Sequence, residues 1–257
     1  MSDSPFPYSR SMPVRLCLAF VLVIAAPGLT RAAGPAGAGA EAAAPAAAPA
    51  AAGSSNASPT ATPAAGSEAR KALRKAIAFH REAKDLTLKF KASVYNASLD
   101  KQDQYQGKLL LKGATMFRLE IPGGTYVSDG ESYWEYHAQN HQVVLKHAKD
   151  MDDKPLPGEV LLRFLDSDPI SLGRAVDGGK EFLDMRLDPS RAMKNLDSLA
   201  VLLDRANYSV HRISSRDVSG NEAEYTVTSV KRNGGLKDKD FIFAIPKDAE
   251  VVDMRDQ

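Results

Sequence analysis

The sequence predicts a mainly β fold with a minor α component: an antiparallel meander that curls into a barrel or half-barrel, with an N-terminal helix and a short helix to cover its concave side. Three observations carry this reading. From Leu86 onward apolar residues recur at every second position in one short run after another. Polar and glycine-rich turn signals separate those runs. Helical spacing occurs only before Asp85 and again just after Lys154-Pro155-Leu156-Pro157-Gly158.

The N-terminal quarter is of another kind. Arg10 and Arg15 precede an apolar run, Leu16 to Ala26, and then Pro27, Gly28 and small residues to Ala33. That order of basic, apolar and small residues is a secretory signal peptide over 1–33, with cleavage expected after Ala32 and Met12 as an alternative start. The run is short of the roughly 20 apolar residues that a membrane-spanning helix needs. Cys17, the only cysteine, lies inside this run and would leave with the signal, without disulfide or lipidation. Residues 34–66 are almost wholly Ala, Pro, Gly, Ser and Thr, with no Leu, Ile, Val or aromatic side chain. Such a segment buries too little apolar area to offset its ordering entropy and is expected to be a disordered spacer.

The folded domain is expected over 67–257. Ser67 is placed as the cap of a helix to about Asp85, with Leu73, Ala76, Ile77 and His80 on one stripe and His80 as a packed or rim histidine. Strands follow at Leu86–Tyr95, Tyr105–Lys112 and Met116–Ile121, then a hairpin of Thr125–Val127 and Ser132–Tyr136 about Asp129-Gly130, then His141–His147. A short apolar helix, Glu159–Leu165, comes next, with a second helical turn over Ile170–Ala175. Strands resume at Glu181–Leu187, Leu199–Asp204, Tyr208–Asp217, Glu222–Lys231 and Asp240–Ile245. A meander of about ten such strands, apolar inside and polar outside, curls into an open or closed barrel.

No catalytic constellation stands out. There is no Gly-x-Ser-x-Gly turn, glycine-rich phosphate loop or His-Glu-x-x-His, so no catalytic residue and no cofactor are expected. His137, His141 and His147 cluster about one hairpin, but without a cysteine or a suitably spaced acid they read as solvated histidines and no metal is expected. The 33 Lys plus Arg against 32 Asp plus Glu argue against a nucleic-acid partner.

The order of motifs is similar to the outer-membrane lipoprotein carrier (LolA) family over 67–257. The matching runs are LTLKFKASVY, then Gly107-Lys108-Leu109-Leu110-Leu111-Lys112, Met116-Phe117-Arg118-Leu119, VSDGESYWEY at Val127–Tyr136, and Phe241-Ile242-Phe243-Ala244-Ile245-Pro246 with Val251-Val252-Asp253. The resemblance implies a half-barrel of about eleven strands and no enzymatic activity. It implies a periplasmic chaperone that acts as a monomer. Such a chaperone takes acylated lipoproteins from an inner-membrane ABC transporter, shields their acyl chains and passes them to an outer-membrane acceptor lipoprotein. The lipid-binding cavity would be lined by Leu88, Phe90, Leu109, Leu111, Phe117, Leu119, Ile121, Trp134 and Tyr136, under a lid bearing Val160, Leu161, Leu162, Phe164 and Leu165. Periodicity alone favours an ordinary core for the same residues. One departure stands out: where many family members carry Lys-Arg-Pro, whose arginine latches the lid, this chain reads Lys112-Gly113-Ala114. A same-fold carrier or sensor for another lipid or lipoprotein therefore stays open, as does a hydrolase with an unrecognised site.

Overall fold

The computed structural model describes residues 63–151, 157–191 and 195–255; the expected signal peptide and nearly all of the expected spacer lie outside them. The chain opens with α1 (Pro63–Arg81), which begins ahead of the expected Ser67 cap. Proline is favoured in a first helical turn, because its missing N–H has no partner to lose there.

A first meander follows: β1 (Asp85–Asn96), β2 (Lys101–Lys112), β3 (Met116–Ile121), β4 (Gly124–Ser128), β5 (Ser132–His137) and β6 (Gln142–His147). After α2 (Pro157–Leu165) a second meander runs through β7 (Pro169–Asp177), β8 (Lys180–Leu187), β9 (Leu196–Asp204), β10 (Val210–Asp217) and β11 (Glu222–Arg232). β12 (Glu250–Asp253) closes the described chain. All twelve strands form one open sheet in the order β12-β6-β5-β4-β3-β2-β1-β11-β10-β9-β8-β7. Every neighbouring pair is antiparallel except β12 on β6, which is parallel. The sheet is the half-barrel that the sequence predicts, with β1 and β11 joining its two meanders.

Two segments differ from expectation. Ile170–Ala175, read as a helical turn, lies in edge strand β7 and pairs with β8. Cross-strand pairing outweighs the local pattern there. Asp240–Ile245, read as a strand, is instead a 3-10 turn at Asp238–Phe241 followed by irregular backbone. This segment straps the convex face of the sheet. Phe241 is fully buried, the turn packs on β3, and Phe243 lies against Tyr136 with ring centroids 5.8 Å apart.

The strap starts from a clasp. The buried Asp85 carboxylate accepts backbone N–H bonds from Gly234 at 2.6 Å, Gly235 at 3.0 Å and Leu236 at 3.3 Å. The Asp85 carbonyl accepts from Asn233 N at 2.9 Å, and Asn233 Oδ1 accepts from Lys84 N at 2.8 Å. The start of β1 and the end of β11 are thus tied together where α1 enters the sheet. Asp85→Ala strips the acceptor from three backbone donors and is expected to cost about 3 kcal/mol. Urea unfolding checks this; Asp85→Asn, which keeps one acceptor oxygen, should lose less.

Candidate functional site

The concave face carries two separate apolar clusters. One is built on β1 to β5 from Leu88, Phe90, Ala92, Leu109, Phe117, Leu119, Tyr126 and Tyr133, with Leu111 and Ile121 packed against it. Seven of the nine residues predicted for the cavity therefore share one surface. The two exceptions are Trp134 and Tyr136. β5 pairs Tyr133 with Ser128 and Glu135 with Tyr126, so the concave side of β5 carries Tyr133, Glu135 and His137, and Trp134 and Tyr136 face the strap on the other side. A period of two assigns residues to two faces without saying which is the concave one.

The second cluster holds the helices. Ala69, Ala72, Leu73 and Ala76 of α1, with Phe164 and Leu165 of α2, pack on Met185, Leu187, Leu199, Val201, Leu203 and Val210 of β8 to β10. Phe164 and Leu165, predicted as lid residues, are thus buried among α1 and the second meander. Val160 lies in α2, but its side chain is outside the described residues. Leu161 and Leu162 are half-buried and reach toward the first meander.

Between the clusters is an apolar hollow of about 70 Å³, bounded by Leu88, Phe90 and Leu109 on one side and Leu161, Phe164 and Val210 on the other, with Tyr225 and Val227 of β11 in its floor. Phe90 lies flat across Gly107: a Cβ there would sit 2.3 Å from the ring, so glycine is what allows this close approach. A wider cavity of about 590 Å³ adjoins it, reached past Arg81, Asp85, Gly113, Thr115, Leu162 and Arg163. His80 and Leu161 line both.

At the position of the family's latch arginine, Gly113 has φ +61 and lines the wider cavity with open space around it. Its neighbour Lys112 pairs with Asp238 of the strap at 2.6 Å. Arg118 bonds Glu120 at 2.7 Å on the convex side. What fixes α2 here is its packing on α1, with the Arg70–Asp168 pair at 2.7 Å beside it. Of the hairpin histidines, His141 sits in a turn ahead of β6 at φ +48 and lies 3.1 Å from Asp248, while His137 lies 3.2 Å from Glu135.

One polar residue of the hollow escaped its functional reading in the sequence. His80 of α1 is 8% exposed, and neither of its ring nitrogens has a hydrogen-bond partner. Burial, and secondly the charge of Arg232, hold its pKa down at about 4, so the ring is neutral near neutral pH. Burial likewise pushes the Tyr225 and Tyr126 phenols well up, which leaves them neutral hydroxyls. Position on an apolar helical stripe foretold the burial of His80 but not its lack of partners.

The described residues thus form an open half-barrel that holds an apolar hollow between its concave face and a short helix. The Outer membrane lipoprotein carrier protein LolA family matches residues 81–244, and the chain belongs to that family. Its members are carriers rather than enzymes. The outer-membrane lipoprotein carrier protein of Aeromonas salmonicida (strain A449) is 25% identical over 170 residues, 65% of this chain and 81% of that one. The structure of a conserved protein from Thermus thermophilus superposes with a TM-score of 0.50 at 15% identity, covering 72% of this chain and 99% of that one. That of LprF from Mycobacterium bovis gives 0.44 at 11% identity, covering 71% and 98%.

The state of His80 has a consequence for stability. Its folded pKa lies below its ordinary 6.5, so between pH 6.5 and about 4 the unfolded chain binds a proton that the folded chain refuses. Its contribution is therefore full above pH 6.5 and falls as the pH drops, levelling off near pH 4. The loss should come to about 3 kcal/mol. Unfolding free energies measured across that range for the wild type and His80→Phe should diverge in this direction.

Proposed function

We propose that this protein is a periplasmic chaperone that shields the acyl chains of lipoproteins and carries them from the inner to the outer membrane. It would receive them from an inner-membrane ABC transporter and release them to an outer-membrane acceptor lipoprotein. The observation that carries this reading is the hollow between the β1–β5 cluster and α2, walled by apolar residues of both. Membership of the carrier family and the export signal expected at 1–33 support it. Transfer is driven by burial alone: each methylene taken from water is worth about 0.8 kcal/mol. A multi-chain anchor therefore needs a soluble partner to cross the periplasm. Catalysis has no part in this, and the activity requires only that the hollow open and close.

A second reading, a carrier for another lipid on the same fold, is favoured by Gly113. With glycine at the latch position, the family's means of closing over a lipoprotein anchor is missing.

Leu161 is the residue to test, because it is half-buried and lines both cavities. Incubated with spheroplasts that display a triacylated lipoprotein, the wild type is expected to release it as a soluble complex. Leu161→Glu, which sets an unpaired charge at the entrance, should release at least about ten-fold less while melting near the wild-type temperature. Failure of the wild type to release any lipoprotein, alongside stoichiometric uptake of phospholipid from vesicles, would instead select the second reading.

A further inference from the structure

The hollow is apolar, but its wall contains a polar group with nothing to bond. Both nitrogens of His80 are enclosed and unpartnered, and so is Nε of Arg232, whose charge acts on His80. The other contacts of Arg232 are distant: its Nη2 lies 3.7 Å from Glu82, and its guanidinium lies 5.2 Å from the centre of the Phe79 ring. Phe79 in turn meets the imidazole edge-on at 5.2 Å. An ordinary core histidine finds a carbonyl or a water, since a buried donor left without an acceptor is costly. The imidazole N–H and Arg232 Nε–H are thus both buried without an acceptor.

The location is as informative as the chemistry. His80 lines both the small apolar hollow and the wider cavity, and so stands at the boundary between them. Beyond it, Arg81 and Arg163 line the wider cavity, and neither has a carboxylate partner among the described residues. A lipid with its tails in the hollow and its head in the wider cavity would bring its first polar atoms, the carbonyl oxygens that join tail to head, to His80.

We infer that His80 is the hydrogen-bonding point for an acyl ester, with the imidazole N–H donating to the ester carbonyl and the hydrocarbon lying along β1, β2 and β11 beneath Leu161. This rests on the acyl-chain reading above and adds to it a preference for the linkage, not only for the hydrocarbon. Protein with a purely apolar wall would hold an alkyl ether as well as an ester. This one should not.

The test compares two probes that differ only in those carbonyls, 1,2-dioctanoylglycerol and 1,2-dioctylglycerol, each displacing anilinonaphthalene sulfonate from the full-length protein. The wild type is expected to bind the diester about five-fold more tightly, as one net hydrogen bond gives. In His80→Phe the two should bind equally, and His80→Leu should agree if the phenyl ring crowds the hollow. Both variants should melt no lower than the wild type, because they remove unpaired buried polar atoms. Equal binding of the two probes by the wild type, or an ester preference kept by both variants, overturns the role of His80 and leaves the carrier reading standing. If neither probe displaces the dye from the wild type, the carrier reading falls and this inference falls with it.

Discussion

The double pairing of β1 is the constraint on which the rest of the molecule depends. All twelve of its residues pair with β2, and ten of them also pair with β11, so one strand joins two meanders into a single sheet. The joint bends on purpose. The register with β11 shifts between Lys89 and Phe90, and Thr228 Oγ1 bonds the Lys89 carbonyl at 3.1 Å beside that shift. A bulge of this kind sharpens local curvature. It falls where Leu88 and Phe90 face the hollow, so the strand that holds the sheet together also shapes the site. The Asp85 clasp sets the same strand's starting point against the turn that launches the convex strap.

Two clusters, where a domain of this size would normally build one core, are the price of having a site at all. A continuous core over the concave face would close the space between α2 and the first meander, and opening it again would cost the packing of a core. Here α1 and α2 pack with β8 to β10, and the first meander packs mostly within itself. Across the concave face, contact between the two clusters is left to Leu161, His80 and a few neighbours around the hollow. The convex side does the opposite: Val127, Val143, Leu145 and Leu110 are buried there, and Phe241 of the strap with them. That face supplies stability which the concave face gives up.

Much of this was legible in the sequence, and what was not has definite reasons. β1 and β3 announce themselves by strict alternation, and the common face of Leu88 with Phe90, and of Phe117 with Leu119, follows from it. Trp134 and Tyr136 were misplaced because a strand covered on both faces carries large apolar residues on both. Alternation then no longer marks the concave side. β7 was read as helix because an edge strand, with one partner and a weakly buried face, needs little alternation. Asp240–Ile245 shows the converse, since the apolar alternation of a strap laid across a sheet looks in sequence like that of a strand paired within one. The spacing of α1 placed His80 on the apolar stripe, but a missing partner is a property of the surroundings, which only the assembled sheet supplies.

The absence of a latch arginine at Gly113 takes on a particular meaning in this arrangement. A lid secured by one polar contact opens when that contact breaks, and its closed state is set by the contact's strength. Here Phe164 and Leu165 of α2 are held in one apolar cluster with α1 and β8 to β10 rather than by a single polar contact. Leu161 and His80 line both spaces at the boundary between the two clusters, where a ligand entering the hollow would meet them first. Gly113, in the turn between β2 and β3, has a φ of +61 that other residues adopt only at a cost, and nothing crowds it. The closing force then comes from returning apolar surface to contact rather than from a single bond. It is a force that acyl chains, by taking the place of that contact, can match.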